Sequence, residues 1–310
     1  MKITILGAAG CIGSCATFNI AVHGLADEIV MIGGRQQNKL MHHAMDIGTA
    51  VAAQNVTVRS GRYEDMSGSD IVINAAGIHE DLYSSRHTER LPQNLPITQD
   101  IAQNINQHCP EAVVITATNP IGPLNYAMYL LGSHRDRSKV IGYSLNDSIR
   151  FRMVMARALG VETSQVEGAA IGEHGSTQVL LFSSIRVKDK PVSISEDIKQ
   201  KIRIDVPDII RSYEELKVER TTGWTSAVGL AAIIHAIGKN TGEMIPCSTV
   251  LDGEYGCRGL SMTVPAIIGR GGIQEVLEWE LAPDEQERLE HSINTLKPAM
   301  HYVEEYLGRS

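Results

Sequence analysis

The sequence predicts an α/β fold in which a parallel-sheet domain is followed by a mixed α/β domain. Short β-branched runs alternate with helical segments from Lys2 to Gly142, the order that builds a parallel sheet with crossover helices. The composition changes at Tyr143, after which helices and β-rich segments mix without a fixed alternation. We therefore expect a first domain over residues 1–142 and a second over residues 143–310.

The overall composition excludes several classes of partner. The 310 residues are 43% hydrophobic and 21% charged, which suits a globular chain with a large core. The net charge is −8 and there is no basic tail, so nucleic acid is not expected as a partner. No stretch reaches the ~20 apolar residues that span a membrane, and the five scattered cysteines form no C-x-x-C metal or redox pair. A cytoplasmic protein without membrane or metal is the expectation.

The first unit of the chain is a strand, a glycine turn and a helix. Lys2–Leu6 is the strand, and the helix continues to about Gly24. The turn between them consists of Gly7, Ala8, Ala9, Gly10, Cys11, Ile12 and Gly13. Gly10 would let backbone N–H groups approach a pyrophosphate, and Gly13 would let the helix pack on the strand. This order predicts a Rossmann-type dinucleotide site; the alternative is a tight turn that binds no ligand.

The end of the second strand bears on which dinucleotide is bound. The strand Glu28–Ile32 is followed by Gly33, Gly34 and Arg35. NAD sites place an acidic residue near this point to bind the ribose hydroxyls, whereas an arginine accommodates the 2′-phosphate of NADP. Two glycines followed by Arg35 therefore favour NADP, with NAD as the alternative. The other interpretation is that Arg35 only faces solvent and contacts no cofactor.

The rest of the first half places polar residues at one edge of the sheet. Further strands are predicted over Asn55–Arg59, Asp70–Asn74, Ala112–Thr116 and Lys139–Gly142, with a helix over Pro92–His108. Between Ile78 and Leu91 the chain is polar and without apolar periodicity, which predicts a long loop over the carboxyl edge, where ligands bind in open α/β sheets. Asn119 ends a strand at this edge and either binds a ligand oxygen or only forms a turn.

The second half opens with two candidate site segments. Asp147 and Arg150 lie three residues apart and share one face of a helix that runs to Leu159, which makes them a candidate pair for the site. The alternative interpretation is a salt bridge without a role in function. His174 lies in Ile171–Gly175, between two glycines, where an imidazole suits proton transfer near neutral pH; a structural histidine is the alternative. Beyond it, β-rich segments (Val179–Val187, Pro246–Val250) and helices (Glu196–Lys217, Thr225–Ile237, Asp284–Tyr306) are predicted.

Four motifs follow one another along the chain: the glycine turn, Thr118-Asn119-Pro120, the Asp147/Arg150 pair and Gly172-Glu173-His174-Gly175. With these motifs in this order, the chain resembles the lactate/malate dehydrogenase family over nearly its whole length. The resemblance implies that His174 is the acid/base and that Asp147 holds the imidazole and stabilises its cation. It also implies that Arg150 grips the substrate carboxylate.

For the remaining site residues, the resemblance implies roles that each have an alternative. Asn119 would contact the reacting oxygen or the cofactor. Arg86 would polarise the carbonyl from the loop, with Arg90 as a second candidate for this role.

The chain departs from the family pattern at two positions that bear on the site. Asn146 stands where the family usually has leucine before the aspartate, and Glu80 stands at the position that selects the substrate tail, where malate enzymes usually have arginine. By the same resemblance, Trp224 occupies the opposite wall of the tail pocket. Because like charges repel in a closed site, Glu80 favours a 2-oxo acid with a non-anionic tail over oxaloacetate. An apolar pocket with Glu80 in solvent is the alternative.

The function expected from these observations is the interconversion of an L-2-hydroxy acid and its 2-oxo acid with NADP or NAD. A dinucleotide-binding or sensing protein without catalysis is a rival, against which the intact Asp147, Arg150 and His174 argue. An NAD-dependent glycosidase is a second rival, but the metal-binding Cys/His pairing that it needs is not evident. The resemblance further implies a homodimer or homotetramer, with Lys39–Ala50 matching a common dimer interface.

Overall fold

The computed structural model describes residues 1–78, 87–134, 136–218 and 221–309. The strands are β1 (Lys2–Leu6), β2 (Glu28–Ile32), β3 (Thr57–Ser60), β4 (Ile71–Asn74), β5 (Val113–Thr116), β6 (Val140–Gly142), β7 (Val166–Glu167), β8 (Ala170–Ile171), β9 (Val179–Leu180), β10 (Arg186–Val187), β11 (Lys190–Pro191), β12 (Glu243–Asp252), β13 (Arg258–Gly269) and β14 (Gly272–Val276). The helices are α1 (Cys11–Val22), α2 (Gln37–Ala50), α3 (Leu91–His108), α4 (Ile121–Leu131), α5 (Leu145–Leu159), α6 (Glu196–Glu215), α7 (Gly223–Lys239) and α8 (Pro283–Tyr306).

Six parallel strands form the first half of the main sheet, in the order β3-β2-β1-β4-β5-β6. Nearly every residue of β1, β2, β4 and β5 is buried, because helices cover both faces of the sheet. These strands therefore consist mainly of consecutive apolar residues and show no alternation of polar and apolar positions. The chain turns in opposite directions after β1 and after β4, and the crevice between these strands is where such sheets bind ligands. The predicted α/β fold is confirmed.

The second half of the chain extends this same sheet. Neighbouring strands among β12, β13 and β14 are antiparallel, and β12 joins β6 through the pair Ser248 and Gly142, so the sheet has nine strands within the described residues. The sheet therefore runs across the boundary predicted at residues 142 and 143. As a result, the carboxyl edge of the parallel strands and the segments that follow Tyr143 lie on one continuous framework.

Helix α1 packs between the sheet and α7, which belongs to the second half. Ile20 of α1 and Leu230, Ile233 and Ile234 of α7 are fully buried in one core with Ile3 and Ile5 of β1. A helix enclosed on both sides carries no charged residue, and α1 has none. The apolar opening segment is thus part of the core of the fold.

Several elements differ from the sequence prediction. The predicted strand over Val179–Val187 is interrupted by a 3-10 turn at Phe182–Ser184, which leaves only the short β9 and β10. The β-rich segment predicted over Pro246–Val250 lies inside β12, which extends beyond it at both ends. Its partner β13, together with β14 and α4, was not predicted, because glycine, serine and proline in β13 hide the alternation of a strand and α4 begins directly after Pro120.

Within the described ranges, the structure contains no helix with the length and apolarity that crossing a membrane requires.

Candidate active site

The glycine turn after β1 has the shape of a phosphate-binding turn. Gly7 has a φ of +73°, and its carbonyl accepts a hydrogen bond from the Gly10 amide at 2.9 Å. A Cβ on Gly13 would stand 2.6 Å from the Gly7 oxygen, so only glycine lets α1 come this close to the turn. No side chain caps the start of α1 at Gly10, which leaves the first amides of the helix for an anion. The turn therefore fits the pyrophosphate of a dinucleotide.

The segment after β2 lies beside this turn, since the Ala8 amide donates to the Ile32 carbonyl at 3.0 Å. The Gln37 side chain donates to the carbonyls of Gly33 and Gly34, at 3.0 and 2.8 Å. A Cβ on Gly34 would meet no atom within 4 Å, and Arg35 is exposed. Neither a clash nor backbone strain requires glycine at position 34, so the fold has room for an acidic side chain there. The absence of that acid therefore bears on the choice between NAD and NADP.

His174, Asp147 and Arg150 come together as one buried cluster. His174 Nδ1 lies 2.6 Å from Asp147 Oδ2, and Arg150 Nη1 donates to Asp147 Oδ1 at 3.3 Å. Asp147 and Arg150 are only 4% and 8% exposed. The carboxylate thus has one oxygen on the imidazole and the other on the guanidinium, an arrangement in which it stabilises both cations.

Two elements bring this cluster together. Asp147 lies in the first turn of α5, where the positive end of the helix favours a carboxylate. His174 follows β8, and Gly172 just before it exchanges two backbone hydrogen bonds with Thr263 of β13, both at 2.9 Å. The histidine therefore approaches Asp147 from a segment that is held by the main sheet.

Asn119 follows β5 at the carboxyl edge of the sheet, as predicted. Its side-chain Oδ1 is buried and has no hydrogen-bond partner among the residues that the structure describes. A buried carbonyl oxygen without a donor suits a site that a ligand completes. Asn119 thus fits the binding of a cofactor or substrate donor group.

Asn94 of α3 is a site residue that the sequence patterns did not single out. Its Nδ2 donates to the Asn119 carbonyl at 2.9 Å, and its Oδ1 accepts from the Ile78 amide at 2.8 Å. Asn94 is almost fully buried although it lies in a helix of mixed polarity. A buried asparagine on the apolar face of a predicted helix was the only available signal.

Asn146, one of the two departures from the family pattern, belongs to a polar network. Its Nδ2 donates to Ser226 Oγ at 3.0 Å, and its Oδ1 accepts from the Tyr143 hydroxyl at 2.6 Å. All three side chains are buried, and burial raises the pKa of Tyr143 well above its usual value. The amide therefore joins the start of α5 to α7. A leucine would remove both contacts and leave the Tyr143 hydroxyl with only the Thr225 carbonyl at 3.3 Å and the Ser226 hydroxyl with only the Thr222 carbonyl at 2.9 Å.

These groups open onto a cavity of about 510 Å³, a volume that suits a nicotinamide ring together with a small acid. The site residues on its wall are Ile12, Arg90, Asn119, Asp147, Arg150 and His174. Part of the opposite wall is apolar and comes from Val206, Pro207 and Ile210 of α6.

Of the predicted site residues that the structure describes, Trp224 does not join this cluster. Glu80 and Arg86 lie outside the described residues. Trp224, in the first turn of α7, is 64% exposed and does not line the cavity, so the structure does not bring it to the tail pocket where it was expected. Its neighbours Thr222 and Ser226 line the cavity instead, because the start of α7 turns these side chains inward. Cys11 has its Sγ 3.7 Å from the Thr221 carbonyl, so its side chain contacts the segment before α7.

In the described ranges, no group of three or more His, Cys, Asp or Glu side chains has an arrangement that could hold a metal ion.

Comparison with known proteins assigns both halves of the chain to one family. The family model described as lactate/malate dehydrogenase, NAD binding domain, matches residues 1–142. The model described as lactate/malate dehydrogenase, alpha/beta C-terminal domain, matches residues 145–307.

Individual relatives agree with this assignment. A malate dehydrogenase from Halobacterium salinarum is 36% identical over 298 residues, covering 95% of this chain and 97% of the relative. An L-lactate dehydrogenase from Geobacillus stearothermophilus is 31% identical over 310 residues, covering 96% of each. Among solved structures, the malate dehydrogenase from Aeropyrum pernix superposes with a TM-score of 0.87 at 28% identity, covering 97% of this chain and 98% of that one. The Cryptosporidium parvum lactate dehydrogenase complexed with lactic acid and nicotinamide adenine dinucleotide gives 0.88 at 28% identity, covering 98% of both chains.

Proposed function

Because the chain belongs to the lactate/malate dehydrogenase family, and is therefore a nicotinamide-dependent 2-hydroxy acid oxidoreductase, we propose that His174, Asp147 and Arg150 are its catalytic and substrate-binding unit. One observation carries this proposal: Asp147 contacts both the imidazole and the guanidinium in a buried cluster on the cavity wall. The reaction is the interconversion of an L-2-hydroxy acid and its 2-oxo acid. The test is an assay of 2-oxo acid reduction with NADPH and with NADH, and absence of turnover on any 2-oxo acid with either cofactor contradicts the proposal.

In the reaction, His174 moves the proton. The nicotinamide ring, when bound, accepts or supplies the hydride. With Nδ1 held by Asp147, His174 Nε2 donates its proton to the carbonyl oxygen in reduction and takes it from the hydroxyl in oxidation. Asp147 keeps the tautomer fixed and stabilises the imidazolium that forms during oxidation.

Arg150 orients the substrate. Its planar guanidinium matches a carboxylate with two parallel hydrogen bonds, and its burial strengthens this contact. Asn119 contacts the reacting oxygen or the carboxamide end of the cofactor. Arg86 polarises the carbonyl when the substrate is bound, and Arg90, which lines the cavity, is the alternative for this role.

The residues that would hold the cofactor belong to the glycine turn and to the end of β2. Gly7, Ala8, Gly10, Cys11, Ile12 and Gly13 would hold the pyrophosphate, and Gly33, Gly34 and Arg35 would hold the adenosine ribose. We propose that NADP is preferred and that NAD is the alternative. Two facts support this: Arg35 is exposed beside the turn, and a side chain at position 34 would have open space around it.

We therefore expect Gly34→Asp to shift the preference toward NADH, because a carboxylate at this point repels the 2′-phosphate and binds ribose hydroxyls. Arg35→Ala should raise the KM for NADPH by about tenfold, the loss of one charge-assisted contact, and leave that for NADH unchanged. Steady-state kinetics with both cofactors measure this, with Arg62→Ala, an arginine near β3, as the control. Equal kcat/KM for the two cofactors in wild type and in Arg35→Ala contradicts the NADP proposal.

We propose a substrate tail that is not a carboxylate. Glu80 stands at the tail-selecting position, and the wall that α6 contributes is apolar at Val206, Pro207 and Ile210. The nearby arginines of α6 are already paired, Arg203 with Asp284 and Arg211 with Asp208, both at 2.6 Å. These pairs reduce the attraction of the wall for an anionic tail.

For the tail, we expect oxaloacetate to be a poor substrate next to 2-oxo acids with neutral tails of similar size. Glu80→Arg should raise kcat/KM for oxaloacetate by about tenfold or more, because it replaces repulsion by attraction, and Glu80→Gln should give a smaller gain. Matched neutral, anionic and cationic 2-oxo acids measure the effect. Efficient oxaloacetate reduction by the wild-type protein contradicts it and indicates an ordinary malate dehydrogenase.

We further propose that residues 1–142 bind the cofactor and residues 143–310 supply most of the substrate site, and that the protein is a homodimer or homotetramer. Support for an oligomer comes from large apolar side chains that are exposed on neighbouring helices: Met41 and Met45 of α2, Phe18 of α1 and Val228 of α7. Exposed apolar side chains of this size on packed neighbouring helices are typical of contact surfaces.

A further inference from the structure

The segment that carries His174 packs directly against the last helix of the chain. Gly172 has a φ of +86°, and a Cβ built there would stand 2.6 Å from Ser292 Oγ of α8. Only glycine fits this space without displacing the helix. The backbone just before the catalytic histidine is therefore enclosed between β13 on one side, through Thr263, and α8 on the other.

The hydroxyl of Ser292 is the contact that α8 makes with this backbone. Ser292 is fully buried, and its Oγ accepts a hydrogen bond from the Glu173 amide at 2.8 Å. It also lies 3.3 Å from Thr177 Oγ1. Thr177 in turn donates its amide to Glu173 Oε2 at 3.1 Å and its hydroxyl to the same carboxylate oxygen.

These contacts join Glu173, Thr177 and Ser292 in a closed hydrogen-bond network that holds the turn containing His174. Ser292 Oγ also accepts a hydrogen bond from the Thr177 hydroxyl, which shares its proton with the Glu173 carboxylate. Ser292 thus accepts both from the residue before His174 and from the residue that ends the turn. Removing the hydroxyl would leave a buried amide without a partner and release both ends of the turn.

We propose that Ser292 is a positioning residue for His174, which acts through the backbone of Glu173 and never touches the substrate. The inference rests on the proposed function of His174. Proton transfer depends on sub-ångström placement of the imidazole, and a support that fixes the adjacent backbone controls this placement. Ser292 lies in the last helix of the chain, 119 residues from Glu173 in sequence, and this helix therefore helps to position the catalytic histidine.

The test compares Ser292→Ala and Ser292→Cys with the wild-type protein, using its best 2-oxo acid. We expect Ser292→Ala to lower kcat by about tenfold and to leave the KM for the cofactor within about twofold. The pH midpoint of kcat/KM for reduction should also change, because a displaced imidazole no longer keeps its contact with Asp147. Ser292→Cys keeps the volume but accepts hydrogen bonds weakly, so its loss should be intermediate. Thr295→Ala is the matched control, since this α8 hydroxyl donates within its own helix, to the His291 carbonyl.

Two outcomes overturn the proposal. One is a folded Ser292→Ala protein, or a folded Ser292→Cys protein if the first does not fold, whose kcat and pH midpoint equal those of the wild type. The other is a loss of kcat with an unchanged pH midpoint, in step with a lower thermal unfolding temperature, which indicates a purely structural role. Failure of the proposed function looks different, because wild type and Thr295→Ala would then show no turnover on any 2-oxo acid.

Discussion

We expect His174→Asn to lower kcat by about 10² to 10⁴, the usual contribution of a general acid–base residue, with little change in cofactor affinity. Asparagine keeps a polar group of similar size but cannot exchange a proton. Asp147→Asn should cause a loss of the same order, because the imidazole then loses the carboxylate at 2.6 Å that fixes its tautomer. Steady-state kinetics and cofactor fluorescence titration measure the two effects.

The two residues should also behave as one unit. The double variant should lose little more than the worse single variant, since groups that act together in one step are not additive. His291→Asn, an exposed histidine of α8, is the control and should keep full activity. Near-normal turnover of His174→Asn with the best substrate would show that the central assignment is wrong.

The second large effect concerns Arg150. We expect Arg150→Lys to lower kcat/KM for the 2-oxo acid by about 10² to 10³, the range for truncating one partner of a buried charge pair, because lysine cannot form the two parallel bonds to a carboxylate. The loss should appear mainly in the KM for the substrate, while the KM for the cofactor stays the same. Measuring both constants at saturating concentrations of the other ligand separates these effects.

The control for this variant lies on the same helix. Arg157→Lys, at the exposed end of α5, should leave both constants unchanged. An Arg150→Lys protein with an unchanged substrate KM would assign Arg150 to the salt bridge with Asp147 alone, the alternative that the sequence left open.

Much of the first half of the fold could be predicted from sequence, because each strand and helix there is a local pattern. Lys2–Leu6 and Glu28–Ile32 are strands as predicted. The resemblance to the lactate/malate dehydrogenase family, based on short motifs in order, is confirmed by the match of both family models. The rival of an inactive binding protein is not favoured by relatives that are malate and lactate dehydrogenases.

The site was predicted less completely, for a physical reason. Asp147, Arg150 and His174 were recognised because each residue lies in a short motif of suitable chemistry, and the structure brings them together. Asn94 and Ser292 were missed, because a buried amide or hydroxyl in a helix carries no signal until its partner in another element is known.

By itself the sequence determined the local features of this protein: the strand–turn–helix unit, the glycines Gly10 and Gly13 in its turn, and the acid three residues before Arg150. These depend on backbone sterics and on neighbours within one or two turns. Only the tertiary structure decided which distant groups meet: that Asp147 contacts His174 across 27 residues, that β12 extends the first sheet, and that Trp224 stays exposed. Such contacts arise from packing of whole elements on one another, and no pattern within a single segment encodes the distance between two of them.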